Sequence, residues 1–358
     1  MNWVIEEGYP EDGTYNATNK ARADIVTIAQ RMGFQRLPVV APLYRQKKKT
    51  DKLKKLGIRA VTYISWFKAF SKVKQNDTVL IQLPLMHHIG LAPYVFGNLK
   101  KGGVRIVAVL HDLELIRNAE SIDDIALTKG SNARTIQLLK CCDKIIVHNP
   151  SMKAFMENKL GLDDGQLIVL GIFDYVLEGF RKETYGSEND ISHVIYAGNL
   201  SRTKSAFLYD LPEYPTFELY GTNYEEGKVR NNVHYHGAFL PEKLPEALDG
   251  NFALVWDGDS CATCSGTYGA YLRYNNPHKV SLYLGSEFPL IIWEEAALAD
   301  FVRENKCGLV VKDILHLDND LLNITSEDYA TMRMNACIVG EKIRNGEFTQ
   351  AALRKCLL

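Results

Sequence analysis

The stretch with the clearest chemical content is Asn276-Pro277-His278-Lys279, followed by Val280 to Leu284, Gly285 and the apolar run Phe288 to Trp293. A proline pushes the residue before it out of the α region and suits the first position of a helix. The sequence therefore predicts a helix from Pro277, capped by Asn276 and ended by Gly285 as its C′ residue. The start of such a helix offers free N–H groups and the positive end of its dipole. Lys279 adds a full positive charge in the same turn, so the stretch can receive a phosphate or pyrophosphate. Taken alone, an ordinary capped helix explains it equally well.

The elements around it follow an α/β rhythm. In the first half a helix is predicted over 17–32, with Ala21, Ile25, Ile28, Ala29 and Met32 at helical spacing. Apolar runs at 37–43, 78–83, 104–110, 144–147 and 167–170 read as strands. Helices are predicted near 87–100, 136–139 and 152–160, the last capped by Ser151. Residues 8–16 are turn-rich, and 171–175 with 181–190 read as a linker. A second series has strands at 194–197, 217–220, 233–235, 253–256 and 309–312, and helical sequence from 326 to 358 broken near Asn345-Gly346. Continuous rather than alternating apolar strands indicate parallel sheets covered on both faces. The expectation is two successive Rossmann-like α/β domains.

Ligands of open parallel sheets bind beyond the carboxyl ends of the strands. Polar and glycine residues gather there: His111, Asp112 and Glu114 in the first half, and Gly198, Asn199, Tyr220, Gly221, His236, Gly237, Asp257 and Gly258 in the second. Tyr220 can stack on a flat base. Arg202 and Lys204 follow the Gly198-Asn199 turn and can meet phosphates. Each residue singly reads as a turn residue, so the argument rests on their shared edge.

Composition narrows the classes. The chain has 358 residues, 46% hydrophobic and 24% charged, with net charge −1. That is the profile of a folded two-domain protein with no global charge for nucleic acid. No apolar run approaches the roughly 20 residues of a membrane span, and no signal peptide is visible at Met1 to Glu7. Seven scattered cysteines fit reduced thiols in a cytoplasm, and the Cys261/Cys264 pair lacks the partners of a zinc or redox site. From Arg45 to Arg59, eight Lys and Arg stand against Asp51, a net of +7. A solvated face or loop explains that cluster, and so does contact with the inner membrane face or another anionic surface. Neither a G-x-G-x-x-G after a strand nor a G-x-x-x-x-G-K-[ST] nor a G-x-S-x-G elbow occurs, which weighs against a dinucleotide dehydrogenase or epimerase, a P-loop NTPase and an α/β-hydrolase.

The run Ala253 to Ser260, Cys264-Ser265-Gly266, Tyr274 to Lys279 with Ser281 to Leu284, and Tyr196 to Ser201 resembles bacterial galactofuranosyltransferases of surface-polysaccharide pathways. More distantly the chain is similar to glucosyltransferases that extend the glycan of serine-rich-repeat adhesins. The similarity runs from the helix after Asn16 to the end, including Leu110-His111-Asp112 and Arg344 to Phe348. It implies a GT-B fold, two Rossmann-like domains with parallel sheets facing a central cleft: an acceptor-side domain over 1–171, a UDP-sugar domain over 172–335, and a segment 336–358 crossing back. It also implies a UDP-sugar co-substrate, no other cofactor and no metal. Lys279, Arg202 and the amides after Asn276 would hold the pyrophosphate, with Asp257, His278 and Ser281 beside them. Gly198, Asn199, Tyr220 and Gly221 would border the nucleoside. The turn over residues 13–18, with Asn16 and Ala17, would close over the donor. Gly285-Ser286-Glu287-Phe288-Pro289 departs from the family pattern, with Glu287 in place of a small residue.

Departure of UDP builds negative charge on the β-phosphate, which Lys279, Arg202 and a helix dipole would stabilise. Asp112 is the candidate base for an acceptor hydroxyl, with Glu114 and His111 behind it. The acceptor would be a glycan, glycolipid or glycoprotein, and the family implies inversion and a homo-oligomer. The competing reading is a non-catalytic partner that binds glycan or glycoprotein and supports another transferase. On the enzyme reading, Lys279→Ala impairs the donor step and leaves the fold intact.

Overall fold

The computed structural model describes every residue except 9–16, 41–51, 88–89, 118, 120–124, 128, 183–189 and 226–230. Two six-stranded sheets, parallel throughout, carry the chain. The first sheet holds β1 (Asn2–Gly8), β2 (Gln35–Val40), β3 (Thr78–Leu83), β4 (Arg105–Leu110), β5 (Lys144–Val147) and β6 (Leu167–Val169), in spatial order 2-1-3-4-5-6. The second holds β7 (His193–Asn199), β8 (Thr216–Thr222), β9 (Val233–Tyr235), β10 (Phe252–Val255), β11 (Leu290–Trp293) and β12 (Gly308–Val311), in order 12-11-10-7-8-9. The helices of the first half are α1 (Ala17–Arg31), α2 (Lys52–Phe70), α3 (Ala92–Lys101), α4 (Glu114–Arg117), α5 (Gly130–Cys141) and α6 (Pro150–Leu160). Those of the second are α7 (Arg202–Ser205), α8 (Leu244–Ala247), α9 (Gly266–Tyr271), α10 (His278–Gly285), α11 (Ala299–Asn305), α12 (Leu317–Leu322), α13 (Ser326–Asn345) and α14 (Glu347–Leu357).

Successive strand side chains point to opposite faces, and here both faces are buried. Val79, Ile81, Ile106 and Ala108 pack on one side of the first sheet, while Val4, Leu80, Val107 and Val109 pack on the other. The second face is covered by α1 and by Ala352, Leu353 and Cys356 of α14, so the C-terminal helix does return to the first domain. The crossing begins at Gly346, whose φ of +78° ends α13. A Cβ there would lie 2.6 Å from Ile28 of α1.

Several expected boundaries move. β1 is absent from the expected strands: Trp3-Val4-Ile5 is a short apolar signal followed at once by two glutamates, yet it lies inside the sheet. Lys52–Phe70 is helical, so the second half of the basic cluster is not a loop; its first half lies outside the described residues. α3 starts at Ala92 rather than near 87, with Pro93 in its first turn. α6 is capped by Asn149, whose Oδ1 accepts from the Met152 N–H at 2.9 Å, not by Ser151. Ile172 to Tyr175 lies between β6 and β7, where a linker is expected, and is buried. The Asp174 carboxylate accepts from the N–H groups of Phe348 (3.3 Å) and Thr349 (2.7 Å), capping α14 from outside its own sequence.

Candidate active site

A cavity of about 600 Å³ lies where the C-terminal edges of the two sheets meet, lined from both domains. In the second sheet β7 is flanked by β8 on one side and β10 on the other, so the strand order reverses between β7 and β10. That switch point is where a crevice opens in such sheets. Ala197, Gly198 and Asn199 at the end of β7 and Asp257 just after β10 wall the cavity there, and α10 begins beside them. The helix starts at His278, one residue later than predicted, with Pro277 at the cap position and no side-chain cap. Tyr283 fixes α10 to the sheet, its hydroxyl accepting from the Ala197 N–H at 2.6 Å. Gly285 is not the C′ residue; the left-handed position belongs to Glu287, at φ +68°.

Lys279 reaches back under the cavity floor. Its ammonium donates to Asp257 Oδ1 (2.9 Å), the Tyr196 hydroxyl (3.0 Å) and the Trp256 carbonyl (3.1 Å), which engages all three of its protons. Both charged side chains are less than a tenth exposed. Burial pulls the Lys279 pKa down to about 8, against the opposing pull of Asp257. Burial works against the Asp257 carboxylate too, but Lys279, Lys204 and the Tyr196 hydroxyl hold its pKa below the ordinary value. A buried ion pair cannot lose one member without stranding the other, so Lys279→Ala costs stability as well as any donor contact.

The two cations after β7 separate. Arg202 is exposed, pairs with Glu225 at 2.9 Å and lies over the Tyr209 ring, and it does not line the cavity. Lys204, two residues on, does line it and has no ion-pair partner among the described residues. Gly198, Asn199 and Gly221 line the wall beside it. Gly221 has no room for a side chain, since a Cβ would sit 1.8 Å from the Gly198 carbonyl oxygen. Tyr220 also lines the cavity; its ring stacks on His236 (centroids 4.6 Å, 13° between planes) and its hydroxyl accepts from the Asp249 N–H. Ser281 is buried inside α10, its Oγ without a hydrogen-bond partner among the described residues, away from the cavity lining. Asn16 lies outside the described residues, and Ala17 is the first residue of α1.

The facing wall comes from the end of β4. His111 is buried, its Nε2–H donating to Gln82 Oε1 at 2.7 Å and its ring stacked on Phe173. Its Nδ1 has no partner among the described residues. Burial holds its pKa well below the ordinary value, so the ring is neutral and Nδ1 carries a free lone pair. Burial likewise lowers His278 to about 4. Asp112 accepts from Arg117 at 2.9 Å, and burial raises its carboxyl pKa while Arg117, and Lys204 from across the cavity, oppose. Glu114 is exposed and faces elsewhere, into a second cavity of about 760 Å³ walled by α2, the end of β3, the start of α3, and α5. Asp112 borders both cavities.

Asn276 neither caps α10 nor points its amide at an open site. Its Nδ2 donates to the carbonyls of His148 (2.8 Å) and Gly171 (2.9 Å), and its Oδ1 accepts from Asn149 at 2.8 Å. Its own N–H donates to His148 Nδ1 at 2.9 Å, which places the His148 proton on Nε2, toward the Leu110 carbonyl. Asn276 is thus a buried lock between the domains at the edge of the cavity. Sequence reasoning also missed Arg117, Tyr268 and Tyr271 in the lining; Tyr271 packs in the first domain's core and its hydroxyl accepts from the Leu113 N–H. Cys261 and Cys264 are buried thiols, and among the described residues no cluster of three His, Cys, Asp or Glu can hold a metal ion.

Comparison with known proteins bears on this arrangement directly. The N-terminal domain of the glucosyltransferase 3-like family matches residues 1–172, and its C-terminal domain matches 194–356. The chain belongs to the glucosyltransferase 3-like family. It is 35% identical over 289 residues to the β-1,6-galactofuranosyltransferase WbbI of Escherichia coli (strain K12), covering 80% of each chain. To the glucosyltransferase 3 of Streptococcus parasanguinis it is 23% identical, covering 78% of each. An α-glucosyltransferase solved in complex with UDP shares the fold at TM-score 0.53 and 12% identity, over 100% of this chain and 98% of that one. This glucosyltransferase 3-like chain is a glycosyltransferase of GT-B fold. Its departure at Glu287 is accommodated by an ion pair to Arg344 of α13 at 3.0 Å.

Proposed function

We propose that this family member transfers a hexose, galactofuranose or a glucose- or galactose-type pyranose, from a UDP-sugar to a hydroxyl of a surface glycan or glycoprotein precursor. The transfer inverts the sugar and needs no metal ion. The observation that carries the reading is the charge arrangement of the cavity. Asp112, Arg117, Lys204, Asp257 and Lys279 line it, three cations against two carboxylates, with two pairs formed and Lys204 left over. Lys204 and the first amides of α10 would receive the pyrophosphate, and Lys279 acts from behind through its field. On the facing wall Asp112 takes the proton of the acceptor hydroxyl, while the bare Nδ1 of His111 accepts a hydrogen bond from a sugar hydroxyl.

The test is a donor screen with UDP-galactofuranose, UDP-glucose, UDP-galactose and UDP-N-acetylglucosamine, reading UDP release with and without a simple acceptor, beside UDP-induced thermal stabilisation. No stabilisation by UDP sinks the donor site. Stabilisation without release from any donor supports the non-catalytic partner instead.

A further inference from the structure

The outward face of α2 carries an apolar stripe that nothing covers among the described residues. Leu56, Val61, Ile64 and Phe67 are all exposed, Phe67 by 78% and Ile64 by 66%. At 100° per residue these four, with Ala60, fall in one stripe opposite the buried Thr62, Trp66 and Ala69. Residues 52–74 hold seven Lys and Arg and no Asp or Glu, in a chain whose net charge is −1. Arg59 and Lys68 lie on α2 itself, beyond its first turn. An apolar stripe flanked by cations is the pattern of a helix lying in a lipid headgroup layer. The stripe is also continuous with the second cavity, since Leu56 and Ala60 form part of its wall and the exposed Leu91 part of its rim.

We propose that α2 docks this protein on an anionic phospholipid bilayer, with Ile64 and Phe67 inserted among the headgroups and the lysines around them on the lipid phosphates. The docked face borders the second cavity, whose other end is Asp112. On the enzyme reading given above, which this clause alone rests on, the acceptor side of the active site therefore faces the membrane.

The experiment is co-sedimentation with vesicles of pure phosphatidylcholine or of phosphatidylcholine with about a third phosphatidylglycerol. Wild type pellets with the anionic vesicles only, and less as salt rises. The double variant Ile64→Asp/Phe67→Asp loses roughly tenfold or more of that partition. Its UDP-induced thermal shift matches wild type, which shows the variant folded and tests the donor site separately. Failure of wild type to bind anionic vesicles at low salt overturns the proposal. So does undiminished binding by the double variant, or light scattering that shows a wild-type dimer split by Phe67→Asp.

Discussion

The Lys279–Asp257 pair decides whether a loss of activity at Lys279 can be read as lost phosphate binding. Lys279→Met removes a buried cation and leaves Asp257 ionised at 7% side-chain exposure. Breaking such a pair from one side costs about 3–5 kcal/mol. Asp257 keeps the Tyr196 hydroxyl at 3.1 Å and the field of Lys204, which places the loss near the lower end, about 3 kcal/mol. For domains of this size that is a fall in Tm of roughly 6–12 °C. Asp257→Asn is milder, because a lysine already brought down to about 8 can shed its proton and keep its bonds to Trp256 and Tyr196. Combining the two changes removes both charges, so the double variant recovers about 2 kcal/mol of the summed loss. Urea unfolding of the four proteins followed by circular dichroism measures the cycle. Additive losses, or a Lys279→Met protein as stable as wild type, would refute the argument. UDP binding by the double variant, compared with Asp257→Asn alone, then reports on Lys279 with less of the stability loss that confounds Lys279→Met.

Lys204→Ala should lower kcat/KM by roughly 100-fold and weaken the UDP thermal shift with Tm unchanged, while Arg202→Ala stays near wild type in steady-state assays. Asp112→Asn should lower kcat by roughly 10²- to 10⁴-fold with UDP affinity retained in calorimetry, whereas Glu114→Gln does neither. Burial raises the Asp174 pKa to about 7, against the N–H groups of Thr349 and Phe348. Its contribution is therefore full below about pH 4 and lost as pH rises through about 7, so Asp174→Asn destabilises less at pH 8 than at pH 5 in paired melts. Glu287 pairs with Arg344 but holds φ +68°. Glu287→Gly loses the pair and gains backbone freedom, so it should be about 1 kcal/mol more stable than Glu287→Ala in chemical unfolding.

What was legible follows from how each residue finds its partners. Strands β3, β4, β7, β10 and β11 are buried on both faces and therefore continuous in the sequence; β1 is equally central but offers three apolar residues before Glu6 and Glu7. Asn276-Pro277 has the local form of a helix cap, and nothing local reveals that its amide is satisfied by residues 105 to 128 positions earlier. Lys279 reads as a free cation for the same reason, since Asp257 lies on another element. Arg202 and Lys204 are two residues apart on a helical turn, so they point to different sides, and the sequence could not choose which faces the cavity. The structure's choice of Lys204 has a consequence for binding. With Lys279 matched to Asp257 and Arg117 to Asp112, the cleft carries, among the described residues, one unmatched cation and a helix start. A pyrophosphate therefore meets a small positive excess without displacing an existing pair. On the proposed function, the negative charge added as UDP departs would fall beside Lys204, whose field also reaches Asp112 across the cavity. Asp112 would lose its negative charge as it gains the acceptor proton, leaving the potential at the leaving group more positive, so the proton and charge movements would favour one another.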